Sequence, residues 1–371
     1  MKERKSNIEL LRIILMILIV AHHYVVNSGI TDLFDFKNIT FNMIFLQFFG
    51  YAGKIGINCF VLITGYFMVK SKITLKKFLK LYLEVKFYAI VIYMIFMVTG
   101  YEKFSITGLA KTLFSVVFYA GKGFTSTYII FFLLIPFINI LLNNFNKRKH
   151  VTLILLLTFY FTIISTFSIK NNTWNYVGWL ITVYIIGAYI RLYPNKYLKS
   201  IKINSILFMI ITIISFASIL CVDYIGSKFG FYDYYYFVND AHKLLAILSA
   251  VTLFLVFTNL DIKNIKVINI ISRSTFGVLL IHTSSETMRR WLWKDLFMNT
   301  EYYNSEYLIL HAILATFIVY IVCNLIDQFR IIIFEKRIFD KNDKKFNEMQ
   351  NKIEKYFETK IGEENGITNI K

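Results

Sequence analysis

Residues 8–28 read Ile-Glu-Leu-Leu-Arg-Ile-Ile-Leu-Met-Ile-Leu-Ile-Val-Ala-His-His-Tyr-Val-Val-Asn-Ser. The stretch is apolar over a length that crosses a bilayer, which takes roughly 20 residues. It nevertheless carries Glu9, Arg12, His22 and His23. Ionisable side chains inside a spanning helix are costly and mark functional positions by default. Arg12 and His23 are eleven residues apart. That is three turns, so both lie on one side of the helix, about 16 Å apart along its axis. His22 points about 100° away from this stripe, toward packing or support. Glu9, one turn before Arg12, is placed to pair with it.

Each residue has a plainer account when taken alone. An arginine can snorkel to the headgroups, a histidine can be a hydrogen-bonded packing residue, and a Glu–Arg pair can simply orient a helix. The shared stripe is the sharper observation, because it sets a cation near one end and an imidazole deeper in. A neutral imidazole can act as a general base near pH 7.

The rest of the chain has the same character. Of its 371 residues, 57% are hydrophobic and 17% charged, against about 25% charged in a soluble domain. Mean hydropathy is +0.56. The apolar blocks are long and lack period-two alternation, which indicates helices and not barrel strands. The expected fold is an all-α integral membrane protein with about ten transmembrane helices. The spans are placed at 8–28, 53–69, 83–100, 125–143, 151–168, 174–192, 203–222, 242–259, 267–285 and 306–329. A kink is expected at Pro136. Residues 331–371 are too hydrophilic to span. The expected domain plan is a membrane domain, 1–330, and a charged cytoplasmic tail, 331–371, with no fused soluble domain after the core.

The net charge of +18 would suggest nucleic acid in a soluble protein. Here the cations sit in short loops, where they orient helices and meet anionic lipid, so no nucleic-acid partner is expected. One set of loops holds Lys2, Arg4 and Lys5, then Lys70, Lys72, Lys76, Lys77 and Lys80, then Lys147, Arg148 and Lys149, then Lys196, Lys199 and Lys202, then Lys263 and Lys266. The alternate set is poorer, with Lys37, Lys103, Lys111, Lys122, Lys170, Lys228, Arg289, Arg290 and Lys294. The positive-inside rule makes the first set cytoplasmic, with both termini. Arg12 then lies toward the cytoplasm and His23 toward the outer half. Cys59, Cys221 and Cys323 each fall in an apolar span with no metal-ligand or disulfide spacing, so no metal is expected. The first span lacks a cleavage site and does not read as a signal peptide.

Asn7-Ile-Glu-Leu-Leu-Arg12, ten residues and then His23 resembles the opening of the acyltransferase-3 family of membrane O-acyltransferases. That family has an Arg-x10-His motif on its first helix and a ten-helix core. Gly56-Ile-Asn-Cys-Phe-Val-Leu-Ile-Thr-Gly-Tyr-Phe67 is similar to its second-helix signature. Residues 126–139 and Ser274-Thr-Phe-Gly-Val-Leu-Leu-Ile-His282 resemble later helices. Lys76-Lys77-Phe-Leu-Lys80 stands where the family usually has arginines, and Leu83 where a proline often follows. Lysine meets phosphate as a point charge, without the bidentate fork.

The resemblance implies transfer of an acyl group, most simply acetyl, from cytoplasmic acyl-CoA to a hydroxyl of a cell-surface or lipid-linked polysaccharide. Acetyl-CoA would be a co-substrate, and no tightly bound cofactor is implied. It implies His23 and Arg12 as the catalytic pair and Lys76, Lys77 and Lys80 as donor-binding cations. Glu9, His22 and His282 are supporting candidates, His282 with Glu286 one turn on. His23 could deprotonate the acceptor or carry the acyl group itself, and the sequence leaves both open. Asn58, Thr64 and Arg273 are candidate pore-lining groups. Arg289 and Arg290, with Trp291 and Trp293, and the tyrosines of Phe231–Phe237 suit either a membrane interface or contact with a glycan. The rival class is a multi-span transporter or lipid-linked glycan flippase that holds cargo with its buried charges. A non-catalytic sensor or scaffold is the remaining class. The protein is expected in the plasma membrane, in contact with lipid, and its oligomeric state is not indicated.

Overall fold

The computed structural model describes residues 5–119, 123–167, 175–230 and 233–364. Lys2, Arg4, Lys122 and Lys170 of the loop charges, and Phe231 and Tyr232 of the aromatic loop, lie outside these residues. Among the described residues the fold is all helical. α1 (Ser6–Val26) is followed by α2 (Phe41–Gly50) and α3 (Gly53–Met68), then α4 (Leu75–Val98) and two short helices, α5 (Ile106–Leu113) and α6 (Ser115–Phe118). α7 (Phe124–Asn143) continues through Pro136. α8 (Lys147–Thr158) runs through a π-helical stretch into α9 (Ser165–Phe167). α10 (Tyr176–Leu192), α11 (Ile201–Phe229) and α12 (Leu244–Asn259) follow. α13 (Lys266–Ile271) and α14 (Thr275–His282) are separated by a 3₁₀ turn at Ser272–Ser274. α15 (Glu286–Arg290), α16 (Leu308–Arg330) and α17 (Asp343–Glu364) are the last of the described helices.

Among the described residues, seven helical runs are long and apolar enough to cross a membrane, and α10 and α12 are shorter apolar helices. α11 and α16 expose rows of large apolar side chains, such as Met209, Ile213, Leu310, Phe317 and Leu325. Polar helix faces would be expected there in water; an apolar outer surface fits hydrocarbon.

Several boundaries differ from the sequence reading, and local chemistry explains them. The second span is preceded by α2, nearly continuous with it. The third starts at Leu75 and not 83, because the Thr74 side chain caps the backbone N–H of Lys77. Two turns of the basic segment are therefore helix. The ninth is broken where Ser272 turns its hydroxyl to Glu9 Oε2 at 2.6 Å. The tenth continues as a π-helical stretch to Asp340.

α1 occupies the centre, packed on α2, α3, α12, α13, α14 and α16. The apolar interior falls into two main clusters that share it. Ile8, Leu11 and Leu15 join α3, α7, α10 and α12. Met16, Ile19, Val20, Tyr24 and Val25 join α4, α14 and α16. In the second cluster a buried ionic group ties α4 to α16. Arg330 meets Glu84 at 2.9 Å and Asp327 at 2.7 Å, and Tyr88 donates to Asp327 at 2.8 Å.

α3 and α10 touch backbone to backbone. A Cβ on Gly65 would stand 2.2 Å from the Tyr184 carbonyl oxygen, and one on Gly187 would stand 2.4 Å from that of Leu62. Overpacking a tight contact typically costs about 1–3 kcal/mol. Gly187→Ala is therefore expected to lower the thermal midpoint of the purified protein by several degrees. Gly123→Ala, where the nearest atom among the described residues is 3.9 Å from the new Cβ, should lower the midpoint far less. Equal midpoints for the two variants would contradict this packing.

Candidate functional site

The site is built on α1 and has two ends. At the first, Arg12 is one-third exposed (33%) and its Nε comes only to 4.0 Å of Glu9 Oε2. That Nε is buried and makes no hydrogen bond among the described residues. Glu9 is instead engaged by Ser272. Tyr128 of α7 is close enough to feel the Arg12 charge, and its hydroxyl shares a 3.0 Å hydrogen bond with Thr64 of α3. Arg12 thus faces a small polar region between α1, α3 and α7 with its hydrogen-bonding capacity unspent. A guanidinium in that condition is a ready partner for an anionic oxygen.

At the second end, His23 Nδ1 lies 2.9 Å from His282 Nε2. His282 is fully buried at the end of α14, and its Nδ1 donates to the Val278 carbonyl at 2.6 Å. His23 itself is half-buried. Its Nε2 has no hydrogen-bond partner among the described residues. The neighbouring His22 faces elsewhere, as the helical period predicts, and donates from Nδ1 to the Gly50 carbonyl at 2.7 Å. Gly53 lies against its ring, where a Cβ would come within 2.2 Å. His22 therefore holds the α2–α3 junction to α1.

The sequence reading singled out His282, but nothing in it paired that residue with His23, 259 positions away. Glu286, its suggested partner, is exposed at the start of α15 and makes no hydrogen bond among the described residues. Lys54 was missed altogether. It follows Gly53 and lies, with Arg289, close enough for both charges to act on His23. Its only ion-pair approach among the described residues is 4.0 Å, to Asp240. A lysine one residue inside an apolar span was the available signal, and it reads equally as an interface anchor.

Other candidates are bonded elsewhere, buried or exposed. Asn58 spends its amide on the Ala241 carbonyl and the Trp179 indole. Arg273 is exposed. Tyr235 and Tyr236 donate to the Leu46 and Thr166 carbonyls. Trp293 is fully buried. Arg290 is exposed and donates to the Tyr101 hydroxyl at 3.3 Å. Among the described residues no group of three or more His, Cys, Asp or Glu side chains is arranged to hold a metal ion.

The family model for the acyltransferase-3 acyltransferase domain matches residues 5–327. The chain belongs to that family. No curated protein and no solved structure matches it. The matched span covers both ends of the α1 stripe and His282, and it ends before α17.

The expected donor-binding lysines are all engaged. Lys76 meets Asp343 of α17 at 2.9 Å, and Lys80 meets Glu335 at 2.6 Å. Lys77 donates to Ser71 Oγ and the Lys72 carbonyl, each at 2.7 Å. The Gln350 side chain also accepts from the Leu75 N–H at 3.2 Å. The tail helix thus docks on the first turns of α4. Pairs this close are substrates for zero-length carbodiimide coupling. Treatment of the full-length protein should give isopeptide links Lys76–Asp343 and Lys80–Glu335, read by peptide mass spectrometry. Absence of the first link would rule out the docked tail.

Proposed function

We propose that this protein is an O-acyltransferase of the plasma membrane. It moves an acyl group, most simply acetyl, from cytoplasmic acyl-CoA to a hydroxyl of a cell-surface or lipid-linked polysaccharide. The chain crosses the membrane about ten times, with both termini and the Arg12 end of α1 in the cytoplasm. This orientation rests on the lysine-rich loops that alternate along the sequence.

The observation that carries the reading is the α1 stripe. Arg12 has free donors at one end, His23 has a free ring nitrogen at the other, and both lie in a chain of this family. The two are about 16 Å apart along the axis, which suits a donor whose phosphates stay near one face while its thioester reaches the other. Arg12 and the lysines of α4 would hold the donor's phosphates. The Lys76–Asp343 pair is partly exposed, and such pairs are worth about 0–1 kcal/mol. A multiply charged phosphate can compete for that lysine. His23, with Lys54 and Arg289 near it, would receive the acceptor hydroxyl. Cations there favour the negative charge that develops on oxygen during acyl transfer.

The test is transfer of labelled acetyl from acetyl-CoA to surface polysaccharide, read by mass spectrometry of the glycan in cells with and without the protein. His23→Ala should reduce transfer by at least about 10²-fold while the protein still accumulates in the membrane. Arg12→Ala should raise KM for acetyl-CoA about tenfold. Full acylation by the His23→Ala protein would refute this function. Loss of glycan export in place of loss of its acyl groups would point to a flippase.

A further inference from the structure

The donors and acceptors around His282 leave one consistent arrangement of protons. The Val278 carbonyl can only accept, so His282 Nδ1, 2.6 Å away, carries a proton. A neutral imidazole has one N–H, which leaves His282 Nε2 as an acceptor. His23 Nδ1, 2.9 Å from that atom, must therefore be the donor. The single N–H of a neutral His23 is then at Nδ1, and the lone pair is at Nε2. Nε2 is the ring atom with no partner among the described residues.

We infer that His282 is a positioning residue that fixes the tautomer and ring orientation of His23, so that His23 Nε2 is the reacting atom. The inference rests on the acyl-transfer reading and names how its base is prepared. His282 is itself held by its own helix: Val278 lies one turn back on α14, and the ring is fully buried. The chain of bonds runs from a main-chain carbonyl through two imidazoles to one free lone pair. In many hydrolases a carboxylate orients the catalytic histidine; here a second imidazole, anchored to backbone, takes that place. A neutral partner brings no negative charge to the site.

The step balances with the donor as sole co-reactant. The acceptor O–H gives its proton to His23 Nε2 as its oxygen bonds to the acyl carbon of the thioester. The resulting imidazolium keeps its Nδ1–H on His282 Nε2. The C–S bond breaks, and the departing thiolate takes the proton from Nε2. His23 returns to its starting tautomer, and the products are an ester and a free thiol.

Two measurements test this, one without turnover. In full-length protein labelled with ¹⁵N-histidine in lipid bilayers, the His23 signals are those absent from the His23→Ala spectrum. They should show a protonated Nδ1 and an unprotonated Nε2. The opposite tautomer would overturn the inference whether or not the protein transfers acyl groups. In the activity assay, His282→Phe keeps a ring but no acceptor. It should lower kcat on the order of 10²-fold with KM for acetyl-CoA unchanged. His282→Gln, whose amide oxygen can still accept from His23 Nδ1, should recover kcat to within about tenfold of the parent. Undiminished kcat in His282→Phe, or equal loss in both variants, would overturn it. If His282→Phe does not accumulate, the spectrum and the His282→Gln rate decide. Should His23→Ala retain acylation, the functional reading fails, and the tautomer measurement still stands by itself.

Discussion

A helix in hydrocarbon satisfies its own backbone, but its polar side chains must find partners on other helices. α1 carries an unusual number of them, and nearly all reach across to different neighbours. Ser6 accepts from the Ile265 N–H and donates to Asn269. Asn7 donates to the Phe257 and Leu260 carbonyls at the end of α12. Glu9 takes Ser272, His22 takes the end of α2, His23 takes α14, and Tyr24 shares a hydrogen bond with His311 on α16. These bonds set the rotation and depth of α1, which apolar packing alone would leave loosely determined. Arg12 is the exception on this helix, an ionic side chain whose neighbours leave its donors unspent.

The sequence made the fold class, the stripe on α1 and the diversion of His22 legible, because each follows from hydropathy or from the helical period. It also picked out His282 as a polar residue in an apolar span. It could not supply contacts between distant positions. The His23–His282 bond depends on how α14 packs against α1, and no local pattern encodes that. Boundaries failed for a related reason. Hydropathy marks where lipid begins, whereas a helix begins at its cap, so Thr74 starts α4 within a segment read as loop. Lys76, Lys77 and Lys80 were recognisable as a basic cluster, but the carboxylates that meet two of them lie more than 250 residues further on.

The two ends of α1 are built in opposite ways. His23 sits in a fixed frame, with its partner's ring locked by a carbonyl of the partner's own helix. Arg12 has a loose frame, one carboxylate at 4.0 Å that is itself bonded to a serine. A proton-transfer group benefits from a single orientation. A phosphate-binding cation benefits from reach, since its long side chain can follow an anion that changes position. The asymmetry suits the two tasks proposed for this helix.

The divided interior has a mechanical consequence. One packed body is welded through Gly65 and Gly187, and the other is tied by Arg330 to α4; α1 gives Ile8, Leu11 and Leu15 to the first and Met16, Ile19, Val20, Tyr24 and Val25 to the second. Close-packed cores resist being opened, because every displaced side chain forfeits contacts it cannot remake. A boundary between two such bodies can part without unpacking either. α1 belongs to both, its first turns to one body and its last to the other, so any parting of the two must be carried by that one helix.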